Sequence, residues 1–210
     1  MNGSNSIGRL RVGFIGAGFI ARFHVKAFLS VRHVAIAGVF NPTAARSEAL
    51  VKEIDGLELG PCTAFPSIEK MLTSGEIDAV WILAPNDARL PIMREICALK
   101  SAGNTPLIGV ACEKPLARTL AEAREMLRLA ESAGLLHGYL ENQVFSTPVQ
   151  RGKDIIWRRA APISGRPYIA RSAEEHSGPH NPWFWQGVKQ GGGVLSDMGC
   201  ATASRSLATS

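Results

Sequence analysis

The sequence predicts an α/β fold in which a doubly wound parallel sheet occupies residues 1–140 and the incomplete start of an α+β domain occupies residues 141–210. Through residue 140, apolar runs of strand length alternate with segments of helix length, which is typical of a parallel sheet covered by helices on both faces. A glycine-rich turn joins the first strand to the first helix. After residue 140 the alternation stops, and the remaining polar and aromatic stretch is too short to bury an independent core.

The first strand and its turn, residues 12–21, form the most informative stretch. Gly16, Gly18 and Ala21 have the spacing G-x-G-x-x-G/A between an apolar strand and a helix. In dinucleotide-binding folds the first glycine permits the tight turn, the second lets the backbone approach a pyrophosphate, and the small third residue allows close helix packing. The helix N-terminus then faces the phosphates. The pattern predicts dinucleotide binding; the alternative is a glycine-bearing turn of an unrelated α/β fold.

The other elements follow from apolar runs, capping residues and Gly or Pro breaks. Short apolar runs predict strands at residues 34–40, 78–84, 107–112 and 135–140. Helical composition predicts helices at residues 19–30, 43–53, 68–72, 88–102 and 119–133, with Thr43, Ser67 and Thr119 as caps. Beyond the sheet, we expect a helix at residues 148–159 and a strand at residues 166–176. Because that strand would lack sheet partners, we expect it to expose an edge that favours aggregation.

Composition argues against several functional classes. The net charge is +5, but Lys and Arg are spread along the chain, so we expect a solvated surface and no nucleic-acid partner. No run approaches the ~18 apolar residues of a membrane span, and the polar first ten residues do not resemble a signal peptide, so we expect a cytoplasmic protein. The four cysteines, Cys62, Cys97, Cys112 and Cys200, lack metal-binding spacing, and we expect no metal site.

Four segments together resemble the Gfo/Idh/MocA family of NAD(P)-dependent oxidoreductases: GFIGAGFIARFH, DAVWILAPN, ACEKPLA and GGGVLSDMGC. The resemblance runs from about residue 10 to residue 200, and Glu113-Lys114-Pro115 is its most specific element. It implies a Rossmann domain followed by an α+β domain whose open sheet forms homo-oligomers. It also implies hydride transfer between a nicotinamide and a hydroxyl of a sugar, polyol or cyclitol.

The resemblance also implies a cofactor pocket. Its pyrophosphate part would be lined by Gly16, Ala17, Gly18, Phe19 and Ile20, and its nicotinamide part by Ala84, Pro85, Asn86, Glu113 and Lys114. Asn41 ends the second strand, where an acidic residue would bind the ribose of NAD. A neutral Asn41 with Arg46 nearby favours NADP or dual use; alternatively, Asn41 only forms the turn before Pro42. The resemblance further suggests a cis Pro115, and it places a histidine where this chain has Arg89.

For the chemistry, the resemblance implies Lys114 and Asp197 as catalytic residues and a histidine base four residues after Asp197. Here that position is Ala201. His176 or His180 would replace the base only if their loop placed them at the site. The last ten residues, ATASRSLATS, leave the family pattern. These ten residues can be back-translated with codons chosen to test for a frameshift. A shifted reading frame of that sequence then encodes His-Ser-Ile-Glu-Val-Ala-Arg-Tyr-Leu, which continues the family pattern and restores the histidine. We therefore expect a frameshifted, truncated member with compromised oligomerisation, and the alternative function is an inactive dinucleotide-binding module.

Overall fold

The structure is a computed structural model that describes residues 8–169, 171, 173, 175, 177–179 and 181–199. Six strands form one parallel sheet: β1 (Leu10–Ile15), β2 (Val34–Phe40), β3 (Thr63–Phe65), β4 (Ala79–Ile82), β5 (Gly109–Glu113) and β6 (Leu136–Leu140). Their spatial order is β3-β2-β1-β4-β5-β6. This order reverses direction between β1 and β4, and in doubly wound sheets such a reversal opens a ligand crevice at the carboxyl ends of the strands. The predicted doubly wound sheet is confirmed.

Five helices connect the strands: α1 (Phe19–Phe28), α2 (Ala44–Gly56), α3 (Ile68–Thr73), α4 (Asn86–Ser101) and α5 (Leu120–Ser132). The first two helices bury apolar residues in one core cluster, and the other three do so in a second cluster. Two predicted caps are confirmed, because the side chains of Ser67 and Thr119 accept hydrogen bonds from the N–H groups of Lys70 and Glu122 at 3.0 and 3.2 Å. Thr43 occupies the N-cap position of α2 without a side-chain capping bond.

The sheet differs from the predicted one at its two edges. Strand β3 was not predicted, since three residues are too few for an apolar period to be recognised. At the opposite edge, β6 is less covered than expected: Leu136 is 74% exposed and Tyr139 is 40% exposed. Among the described residues, the helices therefore cover the faces of the sheet only partly at β6.

After β6 the described chain is mainly helical. It contains α6 (Thr147–Lys153), a π-helical turn (Asp154–Ala160) and α7 (Ala161–Ser164), followed later by α8 (Gly187–Gln190) and α9 (Gly193–Asp197). One 3₁₀ turn, Asn142–Phe145, precedes α6, and a second, Pro182–Trp185, precedes α8. The predicted helix at residues 148–159 is confirmed as part of the continuous helical stretch.

The predicted strand at residues 166–176 is wrong over its described residues, none of which is in a strand. A strand needs a ladder partner and a buried face, whereas Tyr168 is 98% exposed and Ile169 is 59% exposed. The histidines at positions 176 and 180, Cys200 and Ala201 lie outside the described residues. Among the helices that are described, none has the length and apolar character needed to cross a membrane.

Candidate active site

A cleft of about 960 Å³ lies at the carboxyl ends of the central strands. Its lining includes every site residue expected from the sequence: Gly16, Ala17, Gly18, Phe19, Ile20, Asn41, Arg46, Ala84, Pro85, Asn86, Glu113, Lys114 and Asp197. Pro179, Asn181, Trp183 and Phe184 also contribute, so the chain beyond the sheet closes part of the wall. The volume is at the upper end of the range of roughly 300–1,000 Å³ for ligand pockets.

Gly16 is required by the fold itself. Its φ is +116°, and a Cβ built on it would lie 2.8 Å from the carbonyl carbon and oxygen of Leu83. Its N–H donates to the carbonyl oxygen of Phe40 at 2.8 Å. A side chain here would therefore collide with the backbone that follows β4.

Gly18 is a glycine for a different reason. Its φ of −89° is allowed for any residue, and a Cβ on it would meet no protein atom within 4 Å. The residue is the N-cap of α1 and provides no capping side chain. Ala21, one turn further on, is completely buried and allows the close packing expected of the third motif position. The open space at Gly18 fits the pyrophosphate of a dinucleotide, which a side chain would keep away from the helix N-terminus.

Asn41 stabilises the glycine loop. Its Oδ1 accepts a hydrogen bond from the Ala17 N–H at 3.3 Å, and its Nδ2 donates to the carbonyl oxygen of Thr43 at 3.2 Å. Asn41 therefore does more than form a turn, since it ties the end of β2 to the backbone next to the expected pyrophosphate site. Arg46 lies on the adjacent wall and is exposed.

Lys114 and Asp197 meet in the cleft. The Lys114 Nζ donates to the Oδ1 and to the carbonyl oxygen of Asp197, both at 3.1 Å. Their side chains are 30% and 19% exposed, respectively, so the pair is accessible but partly desolvated. Lys114 follows the last residue of β5, and its peptide bond to Pro115 is cis, as the family resemblance suggested. The structure thus brings together the two residues expected to be catalytic.

Arg89 has a structural role that the sequence did not indicate. Only 4% of the residue is exposed, and its guanidinium donates to the main-chain carbonyl oxygens of Ala84, Glu113 and Lys114 at 2.9, 2.7 and 3.3 Å, and also to that of Pro115. Burial lowers the pKa of Arg89, although nearby groups including the Glu113 carboxylate oppose that shift. The arginine therefore fixes the turn that carries Lys114.

The segment with Asp197 is held against the sheet by hydrogen bonds that span the sequence. Asn86 at the start of α4 donates from Nδ2 to the carbonyl oxygen of Gln190 at 2.8 Å. Arg118 donates from Nη1 to the carbonyl oxygen of Val188 at 2.6 Å. These contacts bring α8 and α9 to the carboxyl edge of the sheet, where Asp197 can reach Lys114.

His24 is a second residue that sequence reasoning missed. Its Nε2 lies 2.8 Å from the Oε1 of Glu113, and its ring is largely buried on α1. The two residues are 89 positions apart, so no local sequence signal pairs them. Their proximity follows from the position of α1 beside the carboxyl end of β5.

Comparisons with known proteins agree with the observed fold. Residues 10–139 match the model of the family GFO_IDH_MocA, described as "Oxidoreductase family, NAD-binding Rossmann fold". The chain is 29% identical over 190 residues to 1,5-anhydro-D-fructose reductase of Ensifer adhaerens, a match that covers 90% of this chain and 53% of the relative. It is 26% identical over 193 residues to D-glucoside 3-dehydrogenase of Escherichia coli (strain K12), covering 90% and 51%.

The chain therefore spans about half the length of these curated relatives. Among solved structures, it is similar to GenD2 from gentamicin A biosynthesis in complex with NAD, with a TM-score of 0.78 and 20% identity over 100% of this chain and 56% of that chain. At this identity the similarity establishes the fold alone.

Proposed function

The chain belongs to the Gfo/Idh/MocA oxidoreductase family, and we propose that its cleft binds NAD or NADP and supports hydride transfer involving a hydroxyl-bearing carbon of a sugar, polyol or cyclitol. One observation carries this proposal: the Lys114–Asp197 pair lies in the same cleft as the glycine loop. The sugar-like substrates in the names of 1,5-anhydro-D-fructose reductase and D-glucoside 3-dehydrogenase support the substrate class.

The residues of the cleft fit a dinucleotide. The space in front of Gly18 suits a pyrophosphate, Asn41 and Arg46 would line the adenosine ribose, and the strand-end residues Ala84 and Pro85 would line the nicotinamide half. When bound, the nicotinamide supplies the hydride-accepting or hydride-donating carbon.

Lys114 would act on the substrate oxygen. An ammonium has three N–H donors, and two contacts with Asp197 leave one donor for a substrate hydroxyl. Such a donor would stabilise the negative charge that develops on the oxygen as the hydroxyl loses its proton, or as hydride adds to a carbonyl in the reverse direction. Asp197 would orient the ammonium through these two contacts.

The test is a dehydrogenase assay with NAD and NADP across a panel of polyols and sugars. Lys114→Met should lower kcat by about 10²–10³, whereas Lys52→Met, at an exposed position on α2, should leave kcat unchanged. Equal kcat values for Lys114→Met and the unmodified chain would overturn the role of Lys114.

For cofactor choice, we infer that the cleft accepts NADP at least as well as NAD. Asn41 adds no negative charge near the ribose, and Arg46 is exposed on the same wall. Asn41→Asp should shift the affinity ratio towards NAD, because a carboxylate repels a 2′-phosphate, and Arg46→Ala should weaken NADP selectively. If neither variant changes the ratio, the role of Asn41 is confined to supporting the glycine loop.

A second candidate function is dinucleotide binding with little turnover. It is favoured by Ala201, which stands where the family pattern has the proton-accepting histidine. General-base catalysis contributes about 10²–10⁴ in rate, so the unmodified chain would turn over slowly, and Ala201→His by itself would restore little of kcat. Rapid turnover by the unmodified chain would contradict this second candidate.

A further inference from the structure

The imidazole of His24 connects two parts of the site. His24 lies on α1, the helix that begins directly after the glycine loop, and its Nε2 is 2.8 Å from the Oε1 of Glu113 at the end of β5. The ring packs edge-on against Trp81 and Phe14, with centroid distances of 4.9 and 6.5 Å. These aromatic contacts restrict the orientation of the imidazole and so keep its Nε2 directed at Glu113.

Glu113 links the fixed His24 ring to the main chain of Lys114. While its Oε1 contacts His24, its Oε2 accepts a hydrogen bond from the Lys114 N–H at 2.9 Å. The Glu113 side chain is only 8% exposed. Both carboxylate oxygens therefore have hydrogen-bond partners within the protein. This arrangement fits a structural role better than direct contact with a substrate.

The main chain of Lys114 is consequently held from two sides. Glu113 binds its N–H group, and Arg89 donates to its carbonyl oxygen at 3.3 Å and to that of Glu113 at 2.7 Å. The Lys114 side chain extends from this fixed turn to Asp197. The location of its ammonium thus depends on how firmly the turn is held.

We propose that His24 is a positioning residue for Lys114: through Glu113 it fixes the Lys114 backbone relative to α1, and so places the ammonium relative to the helix that faces the cofactor pyrophosphate. This inference rests on the proposed function for its consequence in turnover. The alternative is that the buried pair of His24 and Glu113 contributes to folding alone.

Two substitutions at position 24 separate these roles. His24→Phe keeps an aromatic ring against Trp81 and Phe14 but removes the hydrogen bond to Glu113. His24→Gln keeps an N–H donor that can reach Glu113. The exposed His137 on β6 provides the control variant His137→Phe.

The first readout follows the Lys114 amine without a cofactor. Each full-length variant is acylated with a trace of acetic anhydride, and peptide mass spectrometry compares labelling of Lys114 with that of the exposed Lys52. Contact with Asp197 shields the ammonium, and a partly exposed ion pair is worth up to about 1 kcal/mol, or about fivefold. His24→Phe should therefore raise relative Lys114 labelling by up to about fivefold, while the Gln variant and the His137 variant should match the unmodified chain.

The second readout separates binding from turnover. His24 does not appear among the cleft-lining residues, so His24→Phe should leave the dinucleotide Kd nearly unchanged. Misplacement of a catalytic group costs up to about 10² in rate, so kcat should fall by about tenfold or more and recover in the Gln variant.

The outcomes distinguish the two proposals. Unchanged Lys114 labelling in a folded His24→Phe protein would overturn the positioning role whether or not the chain turns over. A chain that binds neither NAD nor NADP would overturn the proposed function, and the labelling comparison would still decide the role of His24. A fall in the free energy of unfolding without a change in labelling would assign the pair to folding alone.

Discussion

Replacing Gly18 with valine should separate ligand binding from folding. A Cβ at Gly18 meets no protein atom within 4 Å, and φ at this residue is −89°. The protein therefore has room for a Cβ at this position, and the backbone conformation does not oppose it. The same side chain would occupy the space in which a pyrophosphate approaches the start of α1.

The magnitudes follow from these two facts. Valine is a poorer N-cap than glycine, so the free energy of unfolding should fall by about 0.5–1 kcal/mol. A hydrogen bond from a backbone N–H to a charged group contributes about 1.5–3 kcal/mol. Loss of two such bonds would weaken dinucleotide binding by at least about 100-fold.

Gly16→Ala is the matched comparison, because its effect on stability should be much larger than that of Gly18→Val. With φ at +116° and the Leu83 carbonyl 2.8 Å from the new Cβ, alanine should cost about 2 kcal/mol or more in stability. Urea unfolding and calorimetric titration with NAD and NADP would measure both quantities. A folded Gly18→Val protein that binds both dinucleotides within threefold of the unmodified affinity would refute the reasoning.

Three further predictions concern groups around the sheet. The hydrogen bond from Arg11 lowers the pKa of Asp78 below its ordinary 3.8, so this pair stabilises the fold above that pH and the stabilisation is lost as the pH falls through the lowered pKa. Unfolding at several pH values should give an Asp78→Asn penalty of about 1 kcal/mol at neutral pH that disappears in acid; a pH-independent penalty would contradict it. Burial raises the pKa of Cys62 to about 12, so peptide mapping should find its thiol unlabelled by a maleimide in the native protein and labelled in urea. Arg89→Met should destabilise the chain by at least about 2 kcal/mol in urea unfolding, because it leaves buried carbonyls unpaired, whereas Arg94→Met on the exposed face of the same helix should cost less than about 1 kcal/mol.

Local patterns were sufficient to predict much of the fold. The apolar run and the glycine spacing around Gly16 and Gly18 located β1, the turn and α1 because each feature lies within a dozen residues. Ser67 and Thr119 predicted their helix starts for the same reason. Patterns failed where structure depends on distant partners: β3 is too short to show a period, and residues 166–169 have strand composition but do not join the described sheet.

Some residues of the site were likewise predictable from the sequence, whereas others were found only in the structure. The resemblance to a family supplied Lys114 and Asp197, which are 83 positions apart. It did not supply the roles of His24 and Arg89, since those roles consist of hydrogen bonds to Glu113 and the turn after it. Contacts between residues so far apart in the sequence become visible only once the fold is known.

The most direct test of the account is binding of a reduced dinucleotide in the cleft. Trp183 lines that cleft, so a bound nicotinamide should accept excitation energy from tryptophan. We expect titration with NADH and NADPH to give saturable energy transfer for at least one of them, with a Kd below about 1 mM, and Gly18→Val to abolish it. Absence of transfer and of calorimetric binding for both, in a chain that unfolds cooperatively, would contradict the assignment of the cleft.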